Sequence, residues 1–292
     1  MQKDSYRGRF APSPTGPLHF GSLVTALASY LEAKQHQGSW LLRIDDLDQA
    51  RCIPGMDQIL IRSLESLGFE WDEDITYQSS ATKDYVDALQ KLKQQSLIYA
   101  CHCSRKIIAK SAKMGLEGPI YPDTCRNKHY PLDNKSALRL RTNDVTVSFT
   151  DKIRGKQFQN NHRDTGDFIV RRADGYFAYQ LAVIVDDIQA KITDVVRGAD
   201  LLFSSARQIY LYHLMGAPIP NYAHIPLVFG DDGKKLSKSD AAHPVDIGNP
   251  LASLLDAWHF LQQSPVDGRL QSLQEFWPWA VEKWQIDKLK ND

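Results

Sequence analysis

The segment from Arg9 to Ser22, RFAPSPTGPLHFGS, limits the possible folds more than any other part of the chain. The residues Gly8 to Ala11 are typical of a short strand, and the three prolines that follow cannot continue it because proline has no backbone N–H to donate. After Gly21 the sequence SLVTALASYLEAKQH places apolar residues at helical spacing. The segment therefore predicts a strand, a tight turn and the start of a helix.

The first hundred residues repeat this alternation of strand and helix. A strand from Trp40 to Ile44 leads into three carboxylates, and helical patterns follow from Pro54 to Leu67 and from Thr82 to Gln95. This order of elements predicts an α/β fold with a parallel sheet.

The alternation breaks at IYACHCSR and the chain stays irregular until about Arg172, so we interpret this part as an insertion. The α/β pattern then resumes. The 53 residues (292 − 239) after Ser239 contain two apolar stretches, which predict short helices packed as a cap. The chain thus divides into a first half of the main domain, an insertion, a second half and a short helical C-terminal region: 1–100, 101–172, 173–240 and 241–292.

Charge and hydropathy exclude some classes of function. The formal net charge is +0, so a nucleic-acid partner must bind a local basic patch and not a general positive field. No apolar run approaches the ~20 residues that span a bilayer. The N-terminal sequence MQKDSYRGRF has no apolar signal region, so we expect a cytoplasmic protein that does not bind membranes.

The strand, turn and helix start also suggest a phosphate-binding site. The first N–H groups of a helix lack partners within the helix, and its dipole favours an anion there. Gly16 and Gly21 would let a ligand approach the backbone, and His19 can donate a hydrogen bond to a phosphate. The alternative is a proline-rich connector with a surface histidine.

A lysine-rich loop, DDGKKLSKSD, follows more than two hundred residues later. Its ammonium groups, on Lys234, Lys235 and Lys238, can meet a polyphosphate as point charges. A run of lysines alone is more often a solvated surface. Two phosphate signals in one α/β domain favour nucleotide binding more strongly together than either does alone.

Three of the four cysteines, Cys101, Cys103 and Cys125, are close enough in sequence to supply three thiolates to one structural Zn²⁺. Structural zinc takes four ligands. The sequence leaves three candidates for the fourth ligand: His102, Tyr121 and His129. The alternative is three free buried cysteines, and Cys52 lies outside the group.

Taken together, these motifs resemble a known family. PSPTGPLHFGS is similar to the HIGH signature of class I aminoacyl-tRNA synthetases, and KLSKS is similar to their KMSKS loop. RFAPSPTG, LRIDDLD and VRGADLL narrow the resemblance to the glutamyl branch, over about Gly8 to Asp240. Ser22 stands where the family has its second histidine. The resemblance implies a Rossmann-type parallel sheet, a ligase activity that uses ATP with Mg²⁺, and catalytic roles for His19 and Lys238.

The resemblance also implies the ligand-binding residues. Those for ATP are Pro12, His19, Gly21, Ser22, Lys235 and Lys238. Those for L-glutamate are Arg9, Ala11, Ser13, Asp45, Tyr179 and Arg197. Asp45 stands where the family usually has Glu, and Val183 stands where full-length relatives often have Asn. The family places a tyrosine four residues before its last zinc-binding cysteine, which implies Tyr121. The alternatives are a structural ion pair between Arg9 and Asp45, and a core position for Tyr179.

The resemblance is strongest to a truncated branch, because 53 residues after the KLSKS loop are too few for the large anticodon-binding region of full-length relatives. It implies transfer of glutamate to queuosine, a modified base in the anticodon loop of tRNA(Asp). We expect the protein to be a monomer. Arg171, Arg172 and Arg207 would steer the phosphates. One alternative is a glutamyl-tRNA synthetase fragment that charges a tRNA 3′ end. Another is an inactive tRNA-binding paralogue, which the intact phosphate motifs disfavour.

Overall fold

The computed structural model describes residues 5–115, 118–133, 135–229, 244–266, 268 and 270–291. The strands are β1 (Arg7–Phe10), β2 (Ser39–Ile44), β3 (Thr76–Tyr77), β4 (Ile98–Cys101), β5 (Met114–Gly115), β6 (Gly118–Pro119), β7 (Ala137–Leu140), β8 (Thr146–Asp151), β9 (Gly155–Asn160), β10 (Phe168–Arg171), β11 (Asp194–Gly198) and β12 (Asn221–Ile225). The helices are α1 (Phe20–Gln35), α2 (Met56–Ser66), α3 (Thr82–Gln94), α4 (Arg105–Ser111), α5 (Tyr179–Gln189), α6 (Ser204–Met215), α7 (Pro250–Phe260) and α8 (Leu273–Lys283).

The main sheet has two parallel parts that meet beside β1. On one side β1 pairs with β2 and β2 with β3, and on the other β11 pairs with β12, in parallel in each case. The Thr193 N–H donates to the Arg7 carbonyl oxygen at 3.0 Å and joins the two parts. The chain therefore winds outward from this junction in two directions, and ligands of such sheets bind there, at the carboxyl ends of the strands.

The segment interpreted as an insertion contributes two different structures. β4, β7 and β10 form a small antiparallel sheet. β8 and β9 form an antiparallel hairpin, and β8 pairs with β12, so the hairpin extends the main sheet. The four-segment division stays a prediction, and this pairing shows that residues of the second segment lie in the sheet of the third.

α1 is the central helix of the larger core. Ten of its residues are buried, and α7 and α8 pack against it from the C-terminal region. Three of the largest fully buried side chains in this core belong to tryptophans, namely Trp40, Trp258 and Trp284. The short C-terminal helices thus cover the side of α1 that the sheet leaves open.

The elements predicted near the N-terminus match those observed. The predicted strands are β1 and β2, and the predicted helices are α1, α2 and α3. α2 begins at Met56 and not at Pro54, because Gly55 before it adopts a left-handed conformation with φ of 76°. Within the described part of the chain, no helix has both the length and the apolar character needed to cross a membrane.

Candidate active site

A pocket of about 380 Å³ opens at the carboxyl ends of β1, β2, β11 and β12. This volume falls in the usual range for small-molecule sites, roughly 300–1,000 Å³. Its lining includes every described residue that the sequence assigned to ATP or glutamate: Arg9, Ala11, Pro12, Ser13, His19, Gly21, Ser22, Asp45, Tyr179 and Arg197. Lys235 and Lys238 lie outside the described residues.

His19 caps the helix that opens at this pocket. Its Nδ1 accepts a hydrogen bond from the Ser22 N–H at 3.2 Å, and its Nε2 lies 2.9 Å from Ser22 Oγ. Because Nδ1 accepts, a neutral ring carries its proton on Nε2 and donates it to Ser22 Oγ. The first turn of α1 contains no acidic side chain, so the positive end of the helix dipole faces the pocket without a carboxylate from its own turn.

Two buried arginines form a charged floor with aspartates. Arg9 donates to both oxygens of Asp187, at 3.1 to 3.2 Å. Arg43 donates to Asp187 Oδ1 and to Asp45 Oδ1, each at 2.7 Å. The ion pair considered between Arg9 and Asp45 is therefore wrong: each of them pairs with another residue. The Asp45 N–H donates to the Pro12 carbonyl oxygen at 3.0 Å, which holds the ends of β1 and β2 together.

The charged floor shifts the pKa values of its carboxyl groups. Burial raises the pKa of Asp187, but the guanidinium groups of Arg9 and Arg43 outweigh burial, so the pKa lies below its ordinary value. Burial raises the pKa of Asp45, and Arg43 offsets only part of that effect. The charges of Arg9 and Arg43 are thus compensated inside the protein.

Arg197 differs from Arg9 and Arg43 because its partners are neutral. Its Nε donates to His224 Nε2 at 3.0 Å, and its Nη2 donates to Ser205 Oγ at 2.9 Å. Its Nη1 is buried and has no hydrogen-bond partner among the described residues. Asp200 also lines the pocket, but no described carboxylate lies within ion-pair distance of Arg197, so its guanidinium reaches the pocket without a direct ion pair.

The sequence did not single out Arg43, Asp187 and His224, although they organise the pocket arginines. Arg43 stood inside the quoted LRIDDLD, where a basic residue in an apolar strand is the only signal. Tyr179 is 38% exposed at the pocket rim, so a core position for it is wrong. Val183 is buried and also lines the pocket.

A second cluster joins the three cysteines beside the small antiparallel sheet. The Sγ atoms of Cys101, Cys103 and Cys125 lie within 4.8 Å of one another. The Tyr121 Oη is 3.4 Å from Cys101 Sγ and 3.8 Å from Cys103 Sγ. A tetrahedral zinc with Zn–S bonds of about 2.3 Å separates its sulfurs by about 3.8 Å, and Cys103 Sγ and Cys125 Sγ are 3.5 Å apart.

The histidines that were candidates for the fourth ligand take no part in this cluster. His102 packs edge-on against Tyr130, with ring centroids 4.7 Å apart, and neither His102 nor His129 belongs to the group of converging donor atoms. Arg139 Nε donates to Cys101 Sγ at 3.2 Å. Burial raises the pKa of Cys101, but the hydrogen bond between Cys101 and Tyr121 and the contact with Arg139 outweigh it, so the thiol pKa is lowered. A thiol with a lowered pKa gives up its proton to a metal more readily.

Comparisons with known proteins agree on one family. The family of class I tRNA synthetases (E and Q), catalytic domain, matches residues 5–263. The glutamyl-Q tRNA(Asp) synthetase of Aromatoleum aromaticum is 47% identical over 283 residues, which is 96% of this chain and 89% of that protein. The protein of the same name from Chromobacterium violaceum is 45% identical over 289 residues, which is 99% of this chain and 97% of that protein.

Solved structures give the same result at lower identity. The glutamate tRNA ligase of Elizabethkingia meningosepticum, crystallised with its amino acid, superposes with a TM-score of 0.80 at 26% identity. The match covers 98% of this chain and 66% of the ligase, so the chain spans just under two thirds of that protein's length.

Proposed function

The chain belongs to the class I tRNA synthetases of the E and Q type and is a ligase, and from this premise we propose that it joins L-glutamate to queuosine in tRNA(Asp). Relatives 43–47% identical over nearly the whole chain carry the name glutamyl-Q tRNA(Asp) synthetase. The observation that carries the proposal is the pocket itself, where a helix N-terminus and Arg197, which has no direct ion pair, face one cavity.

The first step forms glutamyl-adenylate without tRNA. A carboxylate oxygen of glutamate attacks the α-phosphorus of ATP, and the bond from that phosphorus to the oxygen of pyrophosphate breaks. The carboxylate is already ionised, so positioning and charge neutralisation supply the catalysis and no general base is needed. His19, Pro12, Gly21, Ser22 and the start of α1 hold the nucleotide.

The lysine loop completes the phosphate site. Lys235 and Lys238 neutralise the pyrophosphate as it departs. Mg²⁺ would accompany ATP and help to neutralise the charge of its phosphates.

Glutamate binds between Arg197 and the charged floor. Arg197 takes one carboxylate of the substrate, since its own partners leave its charge unused. Asp45 meets the ammonium group, with Arg9 behind it and Tyr179 at the rim. Ala11 and Ser13 also line the pocket.

In the second step a hydroxyl of the queuosine cyclopentenediol attacks the mixed anhydride and displaces AMP. The anticodon loop must enter the pocket for this reaction, because the glutamyl-adenylate forms there. It can do so because the bases of a single-stranded loop can splay out and be read individually. Arg171, Arg172 and Arg207 steer the loop phosphates. The reactants are those of the cytoplasm, where we expect the protein to act as a monomer.

The cysteine cluster fits a structural zinc ion. Cys101, Cys103, Tyr121 and Cys125 would hold it, and the distances of 3.4, 3.8 and 3.5 Å among their donor atoms are close to those of a tetrahedral site. The ion would fix the loops between β4 and β7 and take no part in the reaction at the pocket.

Two assays test the proposal. We expect glutamate-dependent exchange of labelled pyrophosphate into ATP without tRNA, and weaker exchange with aspartate or glutamine. Activation of either of those amino acids as fast as glutamate would contradict the proposed substrate.

The second assay compares acceptors. tRNA(Asp) that contains queuosine should accept glutamate, whereas the same tRNA with guanine at that position, its 3′ end intact, should accept none. Charging of the unmodified tRNA(Asp), or of tRNA(Glu) at its 3′ adenosine, would instead support a catalytic fragment of a glutamyl-tRNA synthetase.

A further inference from the structure

Three neighbouring strands of the main sheet place one buried polar side chain each in a row behind the pocket. β11 carries Arg197, and β12 carries His224 directly opposite it in the register. β8, the next strand, ends at Asp151. The exposed fractions of the three side chains are 4%, 0% and 1%, so water does not compete for their hydrogen bonds.

The hydrogen bonds assign every proton in this row. Arg197 Nε can only donate, so His224 Nε2 accepts from it. The proton of a neutral His224 ring is then on Nδ1, which donates to Asp151 Oδ2 at 2.6 Å. Asp151 Oδ1 accepts the N–H groups of Ile153 and Arg154, at 3.0 and 2.9 Å.

The pKa shifts agree with these assignments. Burial lowers the pKa of His224, and the hydrogen bond to Asp151 restores only part of it, so the ring stays neutral. Burial raises the pKa of Asp151, but the donors around it outweigh burial and lower the pKa, so the carboxylate stays ionised.

The imidazole ring of His224 keeps the Asp151 carboxylate away from the Arg197 guanidinium. Arg9 and Arg43 bond Asp187 directly, and their charges are compensated. Arg197 is separated from its nearest row carboxylate by an imidazole ring, which accepts a hydrogen bond without bringing a negative charge. Its orientation is fixed and its charge remains available to an anion.

We propose that His224 and Asp151 are positioning residues that hold Arg197 for a substrate carboxylate without neutralising it. His224 supplies the acceptor, and Asp151 selects the tautomer in which that acceptor exists. The inference deepens the proposed function, on which it rests, because it assigns the residues that make Arg197 a selective carboxylate site.

A double-mutant cycle tests the role of the tautomer. In Asp151→Asn the amide can donate to the ring, which moves the ring proton to Nε2 and sets two donors against each other at Arg197. We expect the KM for glutamate in pyrophosphate exchange to rise by on the order of tenfold, equivalent to about 1.4 kcal/mol. The KM for ATP should change less than about twofold.

The cycle is completed with His224→Gln, whose carbonyl oxygen accepts a hydrogen bond whatever residue stands at 151. In this background the added Asp151→Asn change should barely alter the KM for glutamate. An effect of equal size in both backgrounds would reject the proposal. The rise in KM would then come from the loss of the hydrogen bonds that Asp151 accepts from the N–H groups of Ile153 and Arg154, and not from the His224 tautomer. His213→Gln, at an exposed position of α6, is the matched control.

Nitrogen NMR provides a readout that does not depend on activity. The His224 ring should carry its proton on Nδ1 in the native protein and on Nε2 in Asp151→Asn. An Nε2-protonated ring in the native protein would overturn the inference. Absence of any glutamate-dependent exchange, with the NMR result as expected, would instead contradict the proposed function.

Discussion

At the scale of single residues, Asp186 and Asp187 are neighbours on α5 whose carboxyl pKa values shift in opposite directions. Burial raises the pKa of Asp186 to about 6, and this effect is offset only in part by the Arg43 guanidinium, 3.7 Å away, and by hydrogen bonds from Tyr85 Oη and Gln78 Nε2, at 2.7 and 2.6 Å. Asp187 contacts two guanidinium groups and its pKa falls. At these two adjacent positions of one helix, ionisation of the buried carboxyl group therefore lowers the stability for Asp186 and raises it for Asp187.

The raised pKa of Asp186 predicts a pH-dependent stability difference between the protein and the variant Asp186→Asn. The folded state holds this proton more tightly than the unfolded chain, whose pKa is the ordinary 3.8. The stabilisation from protonation is fully present below that value and is lost as the pH rises to about 6. The free energy of unfolding of the native protein, minus that of the variant, should therefore fall across this window.

Urea unfolding at several pH values measures this difference. Asp256→Asn, at an exposed position on α7, controls for the loss of one negative charge. A difference that stays constant, or that grows with pH across the window, would show that the Asp186 carboxyl group is already ionised in the folded protein at low pH.

The sequence predicted the pocket residues better than it predicted their partners. Arg9, His19 and Arg197 belong to local motifs, and all three line the pocket. The partner of Arg9 is Asp187, 178 residues away in the chain, and only the folded sheet brings the two together. Local patterns carry the identity of a motif but not the tertiary contacts that orient its side chains.

At the scale of elements, the loops between β4 and β7 depend on the cysteine cluster more than on apolar packing. The small cluster of buried side chains there contains Tyr99, Cys101, Tyr121 and Cys125. α4, which follows Cys103, has no buried residue. Such a region has few contacts of its own to hold it, so a metal ion would supply much of its order.

This leads to a prediction about metal content. The protein purified without added metal should contain one zinc per chain, and Cys103→Ser should lose it and unfold at a lower temperature. Cys52→Ser is the matched control and should keep the metal. Elemental analysis of the three proteins checks this, and loss of zinc from Cys52→Ser with retention in Cys103→Ser would show that the ligands are wrong.

A second prediction concerns how α8 and its neighbours attach to α1. Trp284 Nε1 donates to the buried Glu32 Oε2 at 2.7 Å. Trp284→Phe leaves that carboxylate oxygen without this donor, so the free energy of unfolding should fall by about 1–3 kcal/mol. Trp277→Phe is the matched control, because the buried Trp277 Nε1 has no hydrogen-bond partner among the described residues.

Denaturant unfolding of both variants measures the two values. A loss in Trp277→Phe as large as that in Trp284→Phe would mean that ring packing, and not the hydrogen bond to Glu32, attaches the C-terminal helices.

At the scale of the whole molecule, the sequence predicted that the sheet is parallel but did not predict all the strands that belong to it. Alternating strands and helices before residue 100 predicted β1, β2 and the helices around them. The hairpin of β8 and β9 lies between irregular segments, and its pairing with β12 joins Asp151 to Tyr222, 71 residues apart (222 − 151). Pairing over such distances depends on which edge of the sheet is free, and no local pattern records that.

α1 connects the C-terminal region to the end of the pocket where we propose that ATP binds. His19 and Ser22 stand at its first turn, and Glu32 stands near its last, where Trp284 and Lys152 both donate to it. At 1.5 Å per residue these two ends are about 20 Å apart along one helix. Because a helix this well buried opens as a unit, the proposed phosphate site and the C-terminal helices should share a single cooperative unfolding event. In native-state hydrogen exchange they would form one foldon, and a proteolytic cut before α8 would weaken ATP binding at a site that the removed residues never touch.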